Sequence, residues 1–266
     1  MKILFTQDAL INAGTERSNL ELISRFSGEI NAALVYFYPR HELKEDYRRA
    51  GIRHFFLDIP EKYHLILGIK RLVKVIRKEK PDLLVSSLWR ADIITRIASW
   101  ITGVPLVGTL VNDSYSEMAW KDKSGLKHRI VYWIDRITSA IPKFWIANAK
   151  ALVDSHHKTL GLDPNKITVV YRGREIPIPR TKSEGPIRNF ISYGRLLERK
   201  GFQDAIQAFA QVLKTYPDCT LTIFGEGPYR KELEKLVQDL GLQDSVFLPG
   251  KISNPMDVLL NGYFLP

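Results

Sequence analysis

The sequence has little of what marks a secreted or membrane-spanning protein. Its 266 residues contain one cysteine, Cys219, which excludes an internal disulfide. The longest run without a charged residue, Ile97 to Asn112, is shorter than the roughly 20 apolar residues of a spanning helix, and Gly103 and Pro105 interrupt it. The first residues, MKILFTQDAL, lack the apolar stretch of a secretory signal. We therefore predict a cytoplasmic protein without a transmembrane segment.

Several motifs of catalytic chemistry are also missing. The chain has no P-loop, no nucleophile elbow, no zinc motif and no DxD or comparable carboxylate cluster. His156 and His157 are adjacent on a predicted helix, point in different directions and have no partner ligands at metal spacing. We therefore expect no metal ion and no other cofactor.

The net charge of +10 is concentrated in the first part of the chain. Residues 1–180 hold 29 Lys and Arg against 19 Asp and Glu, whereas residues 181–266 hold ten of each. This asymmetry indicates that the first part meets something anionic, whether phospholipid, nucleic acid or a phosphorylated substrate.

One basic segment, HLILGIKRLVKVIRKEK, has the pattern of an amphipathic helix. Its apolar face is predicted to hold Leu65, Ile66, Ile69, Leu72, Val73 and Ile76. A solvated helix packed on a sheet is the simpler interpretation, and docking on anionic lipid headgroups is the sharper one. Further along, Tyr132, Trp133, Phe144 and Trp145 are expected to belong to the core.

Apolar strands alternate with amphipathic helices along the chain. This alternation predicts an α/β fold with parallel sheets covered on both faces. The first helix is expected to carry a capping box at Ser18 and Glu21. The segment REIPIPRTKSEGPIR breaks both periodicities, so we predict a domain at 1–180, a linker at 181–188 and a partial second domain at 189–266, with a short helix at 255–261 and a strand in GYFLP.

Two cations lie between a strand and a helix in ISYGRLLERKGFQDA. Gly194 allows a close backbone turn after the strand, and Arg195 and Lys200 lead into a helix that begins near Gly201. Such a loop lies at the carboxyl edge of a parallel sheet, where a helix N-terminus attracts anions. A diphosphate would suit the planar fork of Arg and the point charge of Lys. From residue type alone, two surface cations on a loop are an equal alternative.

A second glycine turn, FGEGPYRKELEKL, supports the first. Gly225, Glu226 and Gly227 again join a strand to a helix, on the next βα unit of the same predicted sheet. The turn is not a dinucleotide fingerprint, because Arg230 stands where the third glycine would be. Both loops are expected to open on the same sheet edge, which favours an anion site.

These two loops, with ELEKLVQDLGLQDSVFLPG, resemble the family 4 (GT4) retaining glycosyltransferases of the GT-B fold, the glycosyl transferases of group 1. The likeness extends through NAGTERSNLEL, PDLLVSSLWRAD, TGVPLVGTLVND and the segment from Ile146 to Gly173, and so covers nearly the whole chain. It implies two Rossmann-like domains, the first for an acceptor and the second for a nucleotide-sugar. It also implies that Arg195 and Lys200 grip the donor diphosphate without a metal, and that transfer retains the anomeric configuration.

Three features depart from the family pattern. The family has two glycines in its first βα loop where this chain has Ala13 and Gly14, so we expect Gly14 and Thr15 at the cleft. A histidine that contacts the reacting sugar is replaced by Asn112, followed by Asp113; both are candidate catalytic residues, and an Asx turn is an equal alternative. The family's paired-glutamate motif is absent, so we expect a C-terminally truncated chain, as a fragment, a natural truncation or one piece of a split protein, with little or no activity.

The predicted function is transfer of a sugar from a nucleoside-diphosphate sugar to a glycan or lipid-linked acceptor. Two other classes stay open. A sugar-nucleotide epimerase shares the fold and would release a free sugar epimer without an acceptor. A non-catalytic anion- or nucleic-acid-binding protein is supported by the charge alone and would bind with a steep salt dependence. The expected partners are the nucleotide-sugar, the acceptor and an anionic membrane surface at the inner face of the membrane, and no nucleic acid.

Overall fold

The computed structural model describes residues 1–61, 64–121, 125–173, 186, 188–252 and 263–264. The chain divides into two compact units, Met1–Arg174 and Glu175–Pro266. This boundary lies a few residues before the predicted end of the first domain at residue 180. Most of the predicted linker at 181–188 lies outside the described residues.

The first unit is built on a parallel sheet. Within the described residues, seven strands follow the order β3-β2-β1-β4-β5-β6-β7, so the chain starts inside the sheet, builds one edge and returns to build the other. The strands are β1 Lys2–Gln7, β2 Asn31–Tyr36, β3 Arg53–Phe56, β4 Leu83–Ser86, β5 Leu106–Leu110, β6 Phe144–Ala147 and β7 Ile167–Val169. Each pairs in parallel with its neighbours. This is the doubly wound α/β topology that the alternation of strands and helices predicts.

Helices connect these strands. They are α1 Gly14–Ser24, α2 Lys44–Arg49, α3 Leu65–Glu79, α4 Trp89–Thr102, α5 Glu117–Lys121, α6 Leu126–Thr138 and α7 Lys150–Leu160. A short 3-10 helix, Pro164–Lys166, leads into β7. Among the described residues, none of the helices is long and apolar enough to span a bilayer.

The core of the first unit lies on both faces of its sheet. Alternation along β1 sends Leu4 into a buried cluster with Leu72 of α3, and sends Ile3 and Phe5 into a second cluster with Ile23 of α1. Since each face of β1 is covered by helix, the apolar run KILF is buried on both sides. The predicted covering of the sheet on two faces is confirmed.

The second unit carries a smaller parallel sheet. Its strands follow the order β10-β9-β8-β11 and are β8 Asn189–Tyr193, β9 Thr220–Phe224, β10 Val246–Gly250 and β11 Tyr263–Phe264. Helices α8 Phe202–Thr215 and α9 Arg230–Asp239 contribute to a buried cluster with these strands. The predicted strand in GYFLP is confirmed as β11, whereas the predicted helix at 255–261 lies outside the described residues.

The predicted capping box at Ser18 and Glu21 is wrong. Helix α1 already begins at Gly14, after Ala13 in an extended conformation. Ser18 therefore lies inside the helix, where its hydroxyl donates a hydrogen bond to the carbonyl of Gly14 at 2.7 Å. No side chain caps the N-terminus of α1 among the described residues, so its first N–H groups stay available at the edge of the sheet.

Two of the four aromatic residues expected in the core lie on the surface. Trp145 is buried in the space that Gly108 leaves on the neighbouring strand, since a Cβ at Gly108 would lie 2.4 Å from the Trp145 ring. Phe144 precedes it on β6 and so points to the opposite face, where it is 60% exposed. Trp133, on the outer side of α6, is 55% exposed.

The predicted apolar face of α3 is correct except at its first turn. Leu72, Val73 and Ile76 are buried, but Ile66 is 71% exposed. The contact with α4 is made instead by Gly68, where a Cβ would lie 2.7 Å from Ile94. Because two residues correspond to more than half a helical turn, the inward position of Gly68 places Ile66 on the outer side.

Candidate functional site

The loops that follow β8 and β9 are joined by backbone hydrogen bonds at the carboxyl edge of the second sheet. The amide of Gly194 donates to the carbonyl of Phe224 at 2.9 Å, and the amide of Leu196 donates to the carbonyl of Glu226 at 3.0 Å. In the other direction, the amide of Tyr229 donates to the carbonyl of Leu196 at 3.2 Å. The two loops therefore form one unit of backbone structure.

Two glycines make this close approach sterically feasible. A Cβ at Gly225 would lie 1.8 Å from the carbonyl oxygen of Gly194, and a Cβ at Gly227 would lie 2.0 Å from that of Leu196. Gly225 also has a φ of +149°, which side chains disfavour. The GEG turn thus requires glycine at both positions because the backbone of the other loop leaves no room for a Cβ. The sequence alone does not reveal this reason.

Arg195 and Lys200 lie on the loop between β8 and α8. Both side chains are exposed, and neither forms a hydrogen bond or ion pair with the described residues. Leu196, between the two cations, is fully buried, and Phe202, just after them, is 5% exposed. The core therefore holds the loop between its cations and directly after them. A 3-10 turn, Glu198–Lys200, and the left-handed Gly201 lead directly into α8. The loop thus presents two unpaired cations beside a helix N-terminus.

Glu226 has a partner inside the protein. Its carboxylate accepts a hydrogen bond from Arg230 Nη1 at 2.8 Å. Arg230 also donates to Glu234 at 2.7 Å and to the carbonyl of Leu248 on β10 at 2.6 Å. Glu226 therefore fastens the GEG turn to α9 and β10.

At the carboxyl edge of the first sheet, Gly14 and Thr15 begin α1. Arg172, which follows β7, reaches them: its Nη2 donates to Thr15 Oγ1 at 3.5 Å, and a Cβ at Gly14 would lie 3.8 Å from its Nη1. Gly14 is exposed and Thr15 is half-buried. The sequence predicts the positions of Gly14 and Thr15, but it gives no signal for Arg172 beyond its place after a strand.

Two carboxyl groups that the sequence analysis did not identify lie at the same edge. Asp8 directly follows β1, and its Oδ1 accepts a hydrogen bond from the amide of Ala91 in the first turn of α4 at 2.7 Å. Burial raises the pKa of Asp8 to about 6. Burial also raises the pKa of Glu16 to about 7, with the charge of Asp8 adding to the rise and Arg172 opposing it. Both groups therefore titrate near neutral pH.

Asn112 and Asp113 follow β5 at this edge and are exposed. Asp113 Oδ1 accepts a hydrogen bond from Ser155 Oγ at 2.6 Å, which ties the loop to α7. Asn112 lines a cavity of about 60 Å³ together with Trp89 and Asp92 of α4. Their catalytic role stays a prediction.

The interior of that cavity is polar. Arg96 pairs with Asp135 of α6, Asp92 lies 3.9 Å from Arg96, and Tyr115 donates to Asp135 at 2.5 Å. Asp92 Oδ1 and Trp89 Nε1 are buried without a hydrogen-bond partner among the described residues. Burial raises the pKa of Asp92 to about 7, against the lowering effect of Arg96.

Two models of known families match the chain. The model described as Glycosyltransferase Family 4 matches residues 13–176, and the model described as Glycosyl transferases group 1 matches residues 177–262.

Within the residues that the structure describes, no group of three or more His, Cys, Asp or Glu side chains is placed to hold a metal ion.

Individual proteins agree with this match. The chain is 28% identical over 217 residues to the uncharacterized glycosyltransferase MJ1059 of Methanocaldococcus jannaschii, an alignment that covers 71% of the chain and 50% of MJ1059. It is 36% identical over 88 residues to the lipopolysaccharide core biosynthesis glycosyltransferase LpsD of Rhizobium meliloti, which covers 32% of the chain and 24% of LpsD. The chain thus spans at most half the length of these two relatives.

The fold is similar to that of Anabaena Alr3699/HepE, which has been solved in complex with UDP and glucose. The TM-score is 0.77 at 19% sequence identity, over 98% of this chain and 72% of the Anabaena protein. At this identity the likeness concerns the fold.

Proposed function

The chain belongs to glycosyltransferase family 4, and from this premise we propose that it transfers a sugar from a nucleoside-diphosphate sugar to a glycan or lipid-linked acceptor, with retention of the anomeric configuration. The second unit binds the donor and the first unit binds the acceptor. The family model matches residues 13–176, which is more than half of the chain, and this match supports the assignment.

The observation that carries the proposal is the loop between β8 and α8. Arg195 and Lys200 are exposed cations without partners among the described residues, so no carboxylate in this part of the chain competes with a ligand for them. Among the described residues, no side chain caps the adjacent N-terminus of α8. A diphosphate would satisfy the cations and the free N–H groups together.

This arrangement suits the chemistry of sugar transfer. The bond between the anomeric carbon and a diphosphate oxygen breaks, a bond from the acceptor oxygen forms, and the acceptor proton passes to the diphosphate or to a carboxylate. Negative charge grows on the leaving diphosphate, and fixed cations stabilise it as it develops. We propose that these cations replace a metal ion, which would leave transfer unaffected by chelators.

In the first unit we propose that Asp8 or Glu16 accepts the proton that the acceptor hydroxyl loses. A carboxyl group with a pKa near neutrality is suited to accepting and releasing a proton at physiological pH. Asn112, at the end of β5, would donate a hydrogen bond to the reacting sugar. Asp113 would act through its hydrogen bond with Ser155, which positions the loop.

We also propose that the chain works in the cytoplasm, at the inner face of a membrane. The surplus of ten positive charges in residues 1–180 supports attraction to an anionic surface. A lipid-linked acceptor would lie at such a surface.

Calorimetric titration with UDP, GDP and ADP tests the donor site. UDP is the first choice because the Anabaena protein is solved with it. We expect one nucleotide to bind, and the double variant Arg195→Ala and Lys200→Ala to bind it about a hundredfold more weakly, since two charge-assisted contacts are lost. The matched control is Lys214→Ala with Lys235→Ala, which removes two exposed charges from the same unit outside the loop.

The outcomes separate the function classes. Binding that survives the loss of Arg195 and Lys200, or no binding by the folded chain, overturns the proposed donor site. Release of a free sugar epimer without an acceptor identifies an epimerase. Binding of all polyanions with a steep salt dependence identifies a non-catalytic anion-binding protein.

A further inference from the structure

Helix α6 carries an apolar stripe that faces solvent. Leu126, Ile130, Trp133 and Ile137 are 74%, 51%, 55% and 70% exposed. Their spacing of four, three and four residues places them on one side of the helix, along its whole length. Large apolar side chains that are exposed singly are ordinary, but a contiguous row of four marks an interaction surface.

The inner side of α6 is polar, which explains why the stripe is left outside. Asp135 is the residue of α6 that is buried, and Arg96 of α4 binds it. Tyr132 donates a hydrogen bond to the carbonyl of Thr159 in α7 at 2.7 Å. The helix is thus attached to the unit through an ion pair, hydrogen bonds and the packing of Tyr132, whereas the four side chains of the stripe are each more than half exposed.

Exposed cations flank the stripe on both sides. At 100° per residue, Lys127 lies on one side of it and Arg129 and Arg136 on the other, and all three are exposed. The acidic residue of α6, Asp135, is buried against Arg96, so the exposed charged side chains of this helix are all basic. This is the pattern of a helix that lies in a membrane interface, with an apolar side and a basic border.

A pocket of about 730 Å³ opens beside the stripe. Trp120, Tyr132 and Trp133 line it, together with the cations Arg129 and Lys158 and one carboxylate, that of Glu117. Tryptophan and tyrosine favour the headgroup region of bilayers, and two cations suit a phosphate group. The pocket therefore adds a place for an anionic headgroup next to the apolar row.

We infer that α6 is the membrane-docking helix of this protein, and that its apolar stripe inserts into the interface of an anionic bilayer while Lys127, Arg129 and Arg136 contact the headgroups. This inference deepens the membrane association proposed above by naming its surface. A second copy of the chain fits less well, because a symmetric contact would bring the same cations together. Nucleic acid fits less well because it has no apolar surface that would bury the four side chains of the stripe.

The basic helix α3 serves as the comparison. Its cations Lys70, Lys74, Arg77 and Lys78 are exposed, but its apolar residues Leu72, Val73 and Ile76 are buried in the core. It can therefore attract an anionic surface but offers only Ile66 for insertion, whereas α6 offers both charge and an apolar row.

Flotation of the full chain with lipid vesicles tests the assignment. We expect binding to vesicles of phosphatidylcholine with about one third phosphatidylglycerol, and much less to phosphatidylcholine alone. Ile137→Glu should lower the partition coefficient by about tenfold or more, because it removes an inserted side chain and adds a like charge to the lipid. Ile66→Glu is a matched control on α3, since Ile66 and Ile137 are 71% and 70% exposed; we expect it to change partitioning by less than about twofold.

Fluorescence locates the stripe in the bilayer. We expect brominated lipids to quench tryptophan emission in the bound protein, and Trp133→Phe to remove most of that quenching. Equal losses with Ile137→Glu and Ile66→Glu, no binding to anionic vesicles at low salt, or concentration-dependent dimers that Ile137→Glu abolishes would each overturn the inference. UDP titration of the Ile137→Glu variant should be unchanged, so failure of membrane docking is distinguishable from failure of the donor site.

Discussion

The carboxyl edges of the two sheets differ in charge and in how they are held. In the second unit, Arg195 and Lys200 are exposed on loops whose backbones are bonded to one another. In the first unit, Glu16 and Asp92 are buried and Asp8 is half-buried, and desolvation raises the pKa values of all three carboxyl groups. One topology thus supports a permanent cationic site and a titratable acidic one.

The local loops decide what each edge can do. Arg and Lys stay charged at any physiological pH, so the edge of the second unit suits a ligand of fixed negative charge. Carboxyl groups that titrate near neutrality suit proton transfer.

The largest effect is expected from Gly225→Ala. The added Cβ would lie 1.8 Å from the carbonyl oxygen of Gly194, so the two loops must separate. We expect a loss of about 3 kcal/mol or more in the free energy of unfolding, measured in urea, together with loss of nucleotide binding. Gly241→Ala is the control: its φ is also positive, at +66°, but it has open space around it, so we expect about 1 kcal/mol. Similar costs at both positions would show that the loops are not held by close contact.

The second prediction concerns the pH dependence of stability in the first unit. Because the folded-state pKa of Asp92 is raised from 3.8 to about 7, the folded protein binds more protons than the unfolded chain between these values. The free energy of unfolding should therefore fall as the pH rises through this range. Asp92→Asn should reduce that fall by on the order of a few kcal/mol, and Asp8 and Glu16 together should account for a remainder of similar size.

Urea denaturation of wild type and variant at several pH values measures this difference. Asp154→Asn, at an exposed position on α7, is the matched control and should leave the profile unchanged. A wild-type stability that rises steadily between about pH 4 and pH 7 would contradict the raised pKa values.

Much of the fold was predictable from the sequence because its signals are local. Runs such as KILF and PDLLVSS identify buried strands, and a strand followed by Gly194, Arg195 and Lys200 identifies a βα loop that faces the ligand edge. The parallel pairing of the strands and the doubly wound topology agree with those predictions.

What the sequence could not reveal depends on contacts between distant residues. Arg172 reaches Thr15 although 157 positions separate them, and no local pattern encodes that contact. Trp133 and Phe144 are expected in the core because aromatics are usually buried. Instead, the inner side of α6 is occupied by Asp135, and the inward positions of β6 are those of Trp145 and Ala147. The raised pKa of Glu16 likewise arises from burial, which only the folded structure shows.

The third prediction separates the charge of Arg172 from the burial of Glu16. Arg172 lowers the pKa of Glu16 and so opposes the effect of burial. Arg172→Met should raise that pKa further above about 7, as measured by NMR titration of carboxyl-labelled glutamate. Arg40→Met removes an exposed cation that pairs with Glu61 in the same unit, and it should leave Glu16 unchanged. If the pKa of Glu16 does not move in Arg172→Met, the acidic edge is governed by burial alone.

The smallest effect is expected from Glu226→Gln. This variant tests whether the Glu226 carboxylate contacts the nucleotide or only stabilises the GEG turn through its ion pair with Arg230. Glu226 is exposed, and Arg230 keeps Glu234 and the carbonyl of Leu248 when the Glu226 ion pair is lost. The free energy of unfolding should therefore fall by less than about 1 kcal/mol. Nucleotide affinity should stay within about twofold, because Glu226 binds Arg230 and not the ligand. A large drop in nucleotide affinity at unchanged stability would place Glu226 in contact with the donor, and the edge of the second unit would then combine fixed cations with a carboxylate, as the edge of the first unit combines carboxyl groups with Arg172.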